Sequence, residues 1–146
     1  MSDATRDAAL AVIADVTRKT AWFPIVVFGI HIVAALGFDA YDKFPPLDIP
    51  MHVIGGVAIA YFISGTIVAA ERHDFIPSIG TFIHLTLILA LTTSATVFWE
   101  LAEWTTDHTI GTHAQQGLDD TLLDMLCGVI GGVVFVCARA IRNRRT

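Results

Sequence analysis

Acidic and histidine side chains are concentrated in three short stretches of the sequence, and within each stretch their spacing is helical. The three sets are Asp48 with His52, Glu100 with Glu103 and Asp107, and Asp120 with Asp124. Intervals of three, four and seven residues place side chains on one face of a helix. If three such helices end side by side, their carboxylates and an imidazole face a common pocket.

The charge balance of these sets limits the chemistry available to them. Neighbouring carboxylates repel one another, and ionised groups at membrane depth are costly unless they are paired. On the side of the membrane assigned to the three sets below, Lys43 is the only basic residue. The missing positive charge must therefore come from protons, a metal ion or a cationic ligand.

A mixed set of carboxylates and histidine suits a divalent metal ion such as Zn²⁺, Mg²⁺ or Mn²⁺. The predicted metal ligands are His52, Glu100, Glu103, Asp120 and Asp124. A remaining acid such as Glu103, or His113 in the loop that follows, would act as the general base for a water at the metal. No serine or cysteine lies in an obvious nucleophile motif, which disfavours covalent catalysis.

Structural roles compete with this hypothesis. Asp48 and Asp119 are well placed as N-caps of helices, and His113 is equally consistent with an ordinary loop residue. Glu100 and Asp124 are harder to explain in this way. They lie deeper in their apolar stretches, and the influence of a helix dipole fades within one turn.

The elements that must position these residues are four apolar stretches, at approximately residues 21–38, 50–70, 79–102 and 121–141. Each is close to the ~20 residues that a helix needs to cross a bilayer. Apolar residues make up 54% of the chain and charged residues 16%, and the stretches lack the polar stripe of a soluble helix. The predicted fold is all-α, a polytopic transmembrane four-helix bundle with a short N-terminal amphipathic helix.

This pattern divides the chain into three parts. Residues 1–20 form a cytoplasmic or interfacial helix, residues 21–141 the four-span transmembrane domain, and residues 142–146 a basic cytoplasmic tail. Cytoplasmic flanks keep lysine and arginine, and an inside N-terminus leaves eight of the nine basic residues in the cytoplasm. We therefore predict a multi-pass protein of the cell membrane with both termini cytoplasmic and the acidic sets at the outer face.

Glycines in the second and fourth stretches predict close helix packing, because small residues let helices approach in lipid. They are Gly55, Gly56, Gly128, Gly131 and Gly132. The contacts would lie within one molecule or at a dimer seam, so the expected partners are membrane lipids and either a second copy or another membrane protein. The net charge of −5 and the lack of a basic patch argue against nucleic acid.

Several motifs resemble an uncharacterised family of integral inner-membrane proteins, the YjdF-like family. They are Phe98-Trp99-Glu100-Leu101-Ala102-Glu103-Trp104, Gly111-Thr112, Gln116-Gly117, Asp119-Asp120-Thr121, Asp124-Met125, Gly131-Gly132, and Asp48-x-x-x-His52 before Gly55-Gly56. The resemblance covers about residues 39–136. It implies a compact polytopic bundle and no established activity or cofactor. The chain is also distantly similar to VanZ-like proteins, which share an acid shortly before a histidine at the start of a span.

Three functions are consistent with these observations. The first is a metal-dependent hydrolase or transferase that acts on a lipid or lipid-linked substrate at the outer face. The second is a non-enzymatic accessory or scaffold subunit in a membrane complex. The third, a cation- or proton-linked transporter, is disfavoured because polar residues within the spans are sparse and mostly uncharged, among them His31, His84 and Thr92.

Overall fold

The computed structural model describes residues 2–143, which form six α-helices and contain no strand. The helices are α1 (Asp3–Lys19), α2 (Trp22–Ile32), α3 (Ala40–Lys43), α4 (Asp48–Arg72), α5 (Thr81–Ile110) and α6 (Leu118–Asn143). A π-helical turn, Val33–Gly37, extends α2, and a 3₁₀ turn, Pro45–Leu47, leads into α4. Most of the predicted basic tail, 142–146, lies outside the described residues.

The predicted all-α membrane bundle is confirmed. The segments Pro45–Arg72, Thr81–Ile110 and Leu118–Arg142 are long and apolar enough to cross a bilayer. The first predicted span differs, because α1 and the segment Trp22–Gly37 form a pair bent by 53° that qualifies as a fourth span only when taken together. Large apolar side chains on the helix surfaces, such as Phe82 at 82% exposure, fit contact with lipid.

Glycine contacts between α4 and α6 hold the centre of the bundle together. A Cβ atom on Gly56 would strike the carbonyl oxygen of Gly128, and one on Gly131 would strike that of Val53. The two helices therefore touch backbone to backbone, as the predicted packing role of these glycines requires. They run in the same direction, because His52 lies near Asp124 at their starts and the ring of Tyr61 packs against that of Phe135 further along. Around Gly128, α5 packs antiparallel to α6 through Thr96.

The N-terminal helix α1 begins at Ser2, whose hydroxyl caps it by accepting from the Thr5 amide at 3.2 Å. Helix α1 packs against the C-terminal end of α4, where Asp15 pairs with Arg72 at 2.7 Å. Its predicted apolar face remains outside the bundle, because Leu10 and Ile13 are 57% and 61% exposed. That exposed face is suited to a membrane surface.

Candidate functional site

Two helices bring a histidine between two carboxylates at one end of the bundle, where α4 and α6 begin and α5 ends; we call this the acidic end. The Nε2 atom of His52 lies 3.3 Å from Asp48 Oδ1 and 3.7 Å from Asp124 Oδ1. One donor atom from each of the three residues lies within 4.8 Å of the others. Asp124 is buried, with 3% exposure. Asp48, His52 and Asp124 form the trio discussed below.

The local sequence accounts for the two members of the trio that lie on α4. Asp48 is the first residue of the helix and His52 follows one turn later, so both project from the same face. Pro50 fits in this first turn because its missing N–H group would have no partner within the helix. The Asp48 carboxylate does not cap α4; it faces the His52 imidazole instead, so the N-cap interpretation of Asp48 is wrong.

The glycine crossing brings Asp124 to the other two residues. His52 lies four residues before Gly56, and Asp124 lies four residues before Gly128. Because α4 and α6 run in parallel and touch at these glycines, one turn back along each helix places His52 and Asp124 opposite each other. The trio is thus a direct consequence of the backbone contact between Gly56 and Gly128.

Glu103 of α5 lies at the acidic end and is held by a hydrogen bond. Its Oε1 atom accepts from Trp99 Nε1 at 2.8 Å. Tyr41 lies on the same side and shares a 2.9 Å hydrogen bond with His31 Nδ1. Burial, and then the negative charges of Asp48 and Glu103, raise the pKa of Tyr41 to about 12. The phenol therefore stays protonated at physiological pH.

Glu100 lies one turn deeper on α5, with 5% exposure. Neither of its carboxylate oxygens has a hydrogen-bond partner among the described residues. Glu100 lines a cavity together with Trp104, Gln115 and Thr121. A buried carboxylate without partners is costly, and it is typical of a site that is completed by something other than the protein.

Lys43 does not neutralise the trio. Its Nζ atom donates to the Phe38 carbonyl oxygen at 2.7 Å and lies 3.6 Å from the Asp39 carboxylate. The side chain is 70% exposed. Lys43, the basic residue predicted at this end, therefore interacts with groups at the protein surface, away from the buried carboxylates.

The other predicted site residues lie apart from the trio. An oxygen of Asp120 accepts from the Gln116 amide at 3.2 Å, which fixes the start of α6. His113 is exposed in the loop between α5 and α6. Asp107 also serves that loop, because its two oxygens accept from the amides of Ala114 and Gln115 at 2.9 Å. Asp48, which was not among the predicted ligands, joins His52 and Asp124; its four-residue spacing from His52 was the available signal.

Comparisons with known proteins place the whole chain in a membrane context. A family model described as "Predicted membrane protein (DUF2238)" matches residues 9–145. An "Uncharacterized protein" of Thermotoga maritima is 28% identical over 119 residues, which cover 80% of this chain and 58% of that relative. The chain thus spans little more than half the length of this relative. No solved structure matches the chain.

Proposed function

The chain belongs to the DUF2238 family of predicted membrane proteins, and from this premise we propose that its trio binds a divalent metal ion at the outer face of the membrane. The bound metal would serve a hydrolase or transferase that acts on a lipid or lipid-linked substrate. The YjdF-like resemblance agrees with a compact membrane bundle and adds no activity to this proposal.

The observation that carries the proposal is the convergence of Asp48, His52 and Asp124 with no lysine or arginine paired to them among residues 2–143. Their donor atoms lie within 4.8 Å of one another, so each can contribute one ligand to a single ion. Two carboxylates and an imidazole are a donor set that Zn²⁺ and Mn²⁺ accept, and water or substrate would complete the coordination. A divalent cation would offset the repulsion between the buried Asp124 carboxylate and the half-buried Asp48 carboxylate.

Two further acids supply what a hydrolytic site needs beside the metal. Glu103 is fixed by Trp99 and is half-buried at the acidic end, which makes it better placed as a general base than the exposed His113. Glu100 is buried, and its two oxygens have no hydrogen-bond partner in the part of the chain that the structure describes, which suits a further ligand or proton transfer. When bound, the metal would act as a Lewis acid toward a substrate oxygen.

The outer location rests on the distribution of basic residues. Arg6, Arg18 and Lys19 precede α2, Arg72 ends α4, and four arginines follow residue 138. Those that the structure describes lie away from the acidic end when the helices are placed as spans, so the positive-inside rule favours an acidic end that faces outward.

Metal analysis of detergent-purified protein tests the proposal. We expect stoichiometric Zn²⁺ or Mn²⁺ in the wild type, and Asp124→Asn should weaken metal binding by more than the ~10–100-fold that loss of an outer-shell group costs. Asp119→Asn removes an exposed acid of the same helix and should bind metal normally. Asp48→Asn provides a second ligand variant in case Asp124→Asn fails to fold.

Absence of metal from the wild type, after titration with both ions, would contradict the proposal. The enzymatic part has its own readout in proteoliposomes of phosphatidylethanolamine and phosphatidylglycerol. Metal-dependent release of a lipid product, measured by mass spectrometry, should be lost in Glu103→Gln. Full metal occupancy without any product would remove the enzyme and leave a metal-binding membrane protein.

A further inference from the structure

We infer that an apolar cavity beside the trio binds one acyl chain of a membrane phospholipid and thereby presents the polar end of that lipid to the metal site. This inference rests on the proposed function, since it names the substrate class of the same site. The cavity has a volume of about 260 Å³. For comparison, an apolar cavity of ~150 Å³ is large enough to bind benzene.

The cavity lies between α2, α4, α5 and α6, and its position follows from its lining. It is bounded by Val27 and Phe28 of α2, by Gly55 and Ile59 of α4, by Ala95 of α5 and by Gly128 of α6. His52 and Trp99 also line it, and these two residues belong to the acidic end. One end of an apolar space therefore adjoins the proposed metal ligand His52.

The depth of the cavity matches one leaflet of a bilayer. Its lining on α4 extends from Met51 to Ile59, about 12 Å at 1.5 Å per residue. Half of a hydrocarbon core of about 30 Å is ~15 Å. An acyl chain in the outer leaflet would therefore fill the cavity while its ester and head group remained level with the trio.

Water is a poor occupant of this space. A buried water needs two to four polar partners, and most of the lining consists of apolar side chains and glycine. Of the two threonines in the lining, Thr96 donates to the Thr93 carbonyl oxygen at 2.8 Å, whereas the Thr92 hydroxyl has no partner among the described residues. The threonines thus offer a water one free hydroxyl, fewer than the polar partners it needs. A ligand with an apolar chain and one polar end matches the cavity, because the chain contacts the apolar lining and the polar end reaches His52.

A lipid chain would reach the cavity between α2 and α5. Close backbone packing joins α2 to α4, and α2 meets α5 through aromatic rings. The ring centroids of Phe28 and Trp99 are 5.8 Å apart, and those of His31 and Trp99 are 5.2 Å apart. Side chains rather than backbones close this side, and side-chain rotation is enough to admit a chain from the bilayer.

Gly55 offers a way to fill the cavity without disturbing the bundle. A Cβ atom added there meets nothing within 4 Å, whereas one on the adjacent Gly56 strikes the backbone of α6. Gly55→Leu should therefore occupy the space reserved for the ligand. Gly29→Leu is the matched control, because Gly29 also has open space around its Cβ position and lies outside the cavity lining.

Photocrosslinking in proteoliposomes tests the inference, with phosphatidylcholine that carries a diazirine on one acyl chain as the probe. We expect crosslinks in the wild type at Met51, Ile59 and Ala95, alongside labelling of lipid-exposed Phe82. Gly55→Leu should lower the ratio of cavity to Phe82 labelling about tenfold, the factor expected when ~2 methylene groups lose their buried position. Gly29→Leu should leave the ratio unchanged.

Three outcomes would overturn the inference. They are no cavity labelling in the wild type, equal labelling in Gly55→Leu, and competition by unlabelled polyprenyl phosphate but not by unlabelled phosphatidylcholine. Bound Zn²⁺ is measured in the same samples to separate the two proposals. Cavity labelling in a wild type that binds no metal contradicts the metal site alone, and metal binding without cavity labelling contradicts the acyl-chain site alone.

Discussion

At the scale of single residues, position in three dimensions separates acids that look alike in the sequence. Asp124 faces His52 and Asp48, whereas Asp120, on the same helix one turn earlier, accepts from a loop amide. Glu103 accepts from Trp99, whereas neither oxygen of Glu100 has a partner within residues 2–143. The acids of the acidic end thus divide into a group that can hold a ligand and a group that fixes the backbone.

Glu100→Gln tests the cost of the partnerless carboxylate. Removing a buried negative charge that faces other acids should stabilise the metal-free protein by about 1–3 kcal/mol, which for a chain of this size raises the melting temperature by roughly 2–4 °C per kcal/mol. The measurement is thermal unfolding in detergent with a chelator present, followed by circular dichroism. Asp42→Asn, at an exposed acid, is the control and should change little. A lower melting temperature in Glu100→Gln would show that the carboxylate makes stabilising contacts.

At the scale of helices, the contact between α4 and α6 determines whether a site forms. Gly56 and Gly128 allow the two backbones to touch, and the resulting parallel crossing sets His52 opposite Asp124. The predicted glycine set therefore has two uses. Gly56, Gly128 and Gly131 pack against neighbouring helices, whereas Gly55 leaves space for the cavity.

Gly56→Ala should separate α4 from α6, because its methyl group would overlap the Gly128 carbonyl. Overpacking of this kind costs about 1–3 kcal/mol, and the displaced helices should also hold metal more weakly. The measurements are thermal unfolding and Zn²⁺ binding in detergent. Gly55→Ala adds the same methyl group one position earlier into open space and should leave both quantities near wild type. Equal effects of the two substitutions would argue against the backbone contact.

At the scale of the whole molecule, charged residues are separated along the long axis of the helix bundle. The acidic trio occupies one end, and the pairing of Asp15 with Arg72 marks the opposite end. The bent pair formed by α1 and the segment Trp22–Gly37 lets α1 lie against the end of α4 while the following segment enters the apolar layer. Trp22–Gly37 is shorter than the other spans, and at 1.5 Å per residue it covers ~24 Å.

Cysteine labelling tests the proposed orientation. In a Cys127→Ala, Cys137→Ala background, a membrane-impermeant maleimide should label Asp42→Cys in intact cells, because Asp42 is exposed at the acidic end. Ser78→Cys, exposed in the loop between α4 and α5, should react only after the membrane is permeabilised. Labelling of Ser78→Cys alone in intact cells would reverse the topology and move the proposed site to the cytoplasmic face.

Much of the fold could be predicted from the sequence, because hydropathy and helical spacing are local properties. The apolar stretches identify α4, α5 and α6 as spans, since a chain in lipid must satisfy its backbone hydrogen bonds within each helix. The same local logic places Asp48 and His52 on one face of α4. Spacing and hydropathy did not predict the bend before Trp22, where the chain turns and Thr20 packs against Gly65.

Only the tertiary structure determined which residues belong to the site. Asp120 and Asp124 share a helix face, but they lie about 6 Å apart along the helix axis. Asp124 joins the site because it lies one turn before the contact between Gly56 and Gly128. The cavity likewise depends on Gly55 of α4 facing a space that α2 and α5 also line. Contacts of this kind depend on how helices rotate and cross one another, and no spacing within a single helix carries that information.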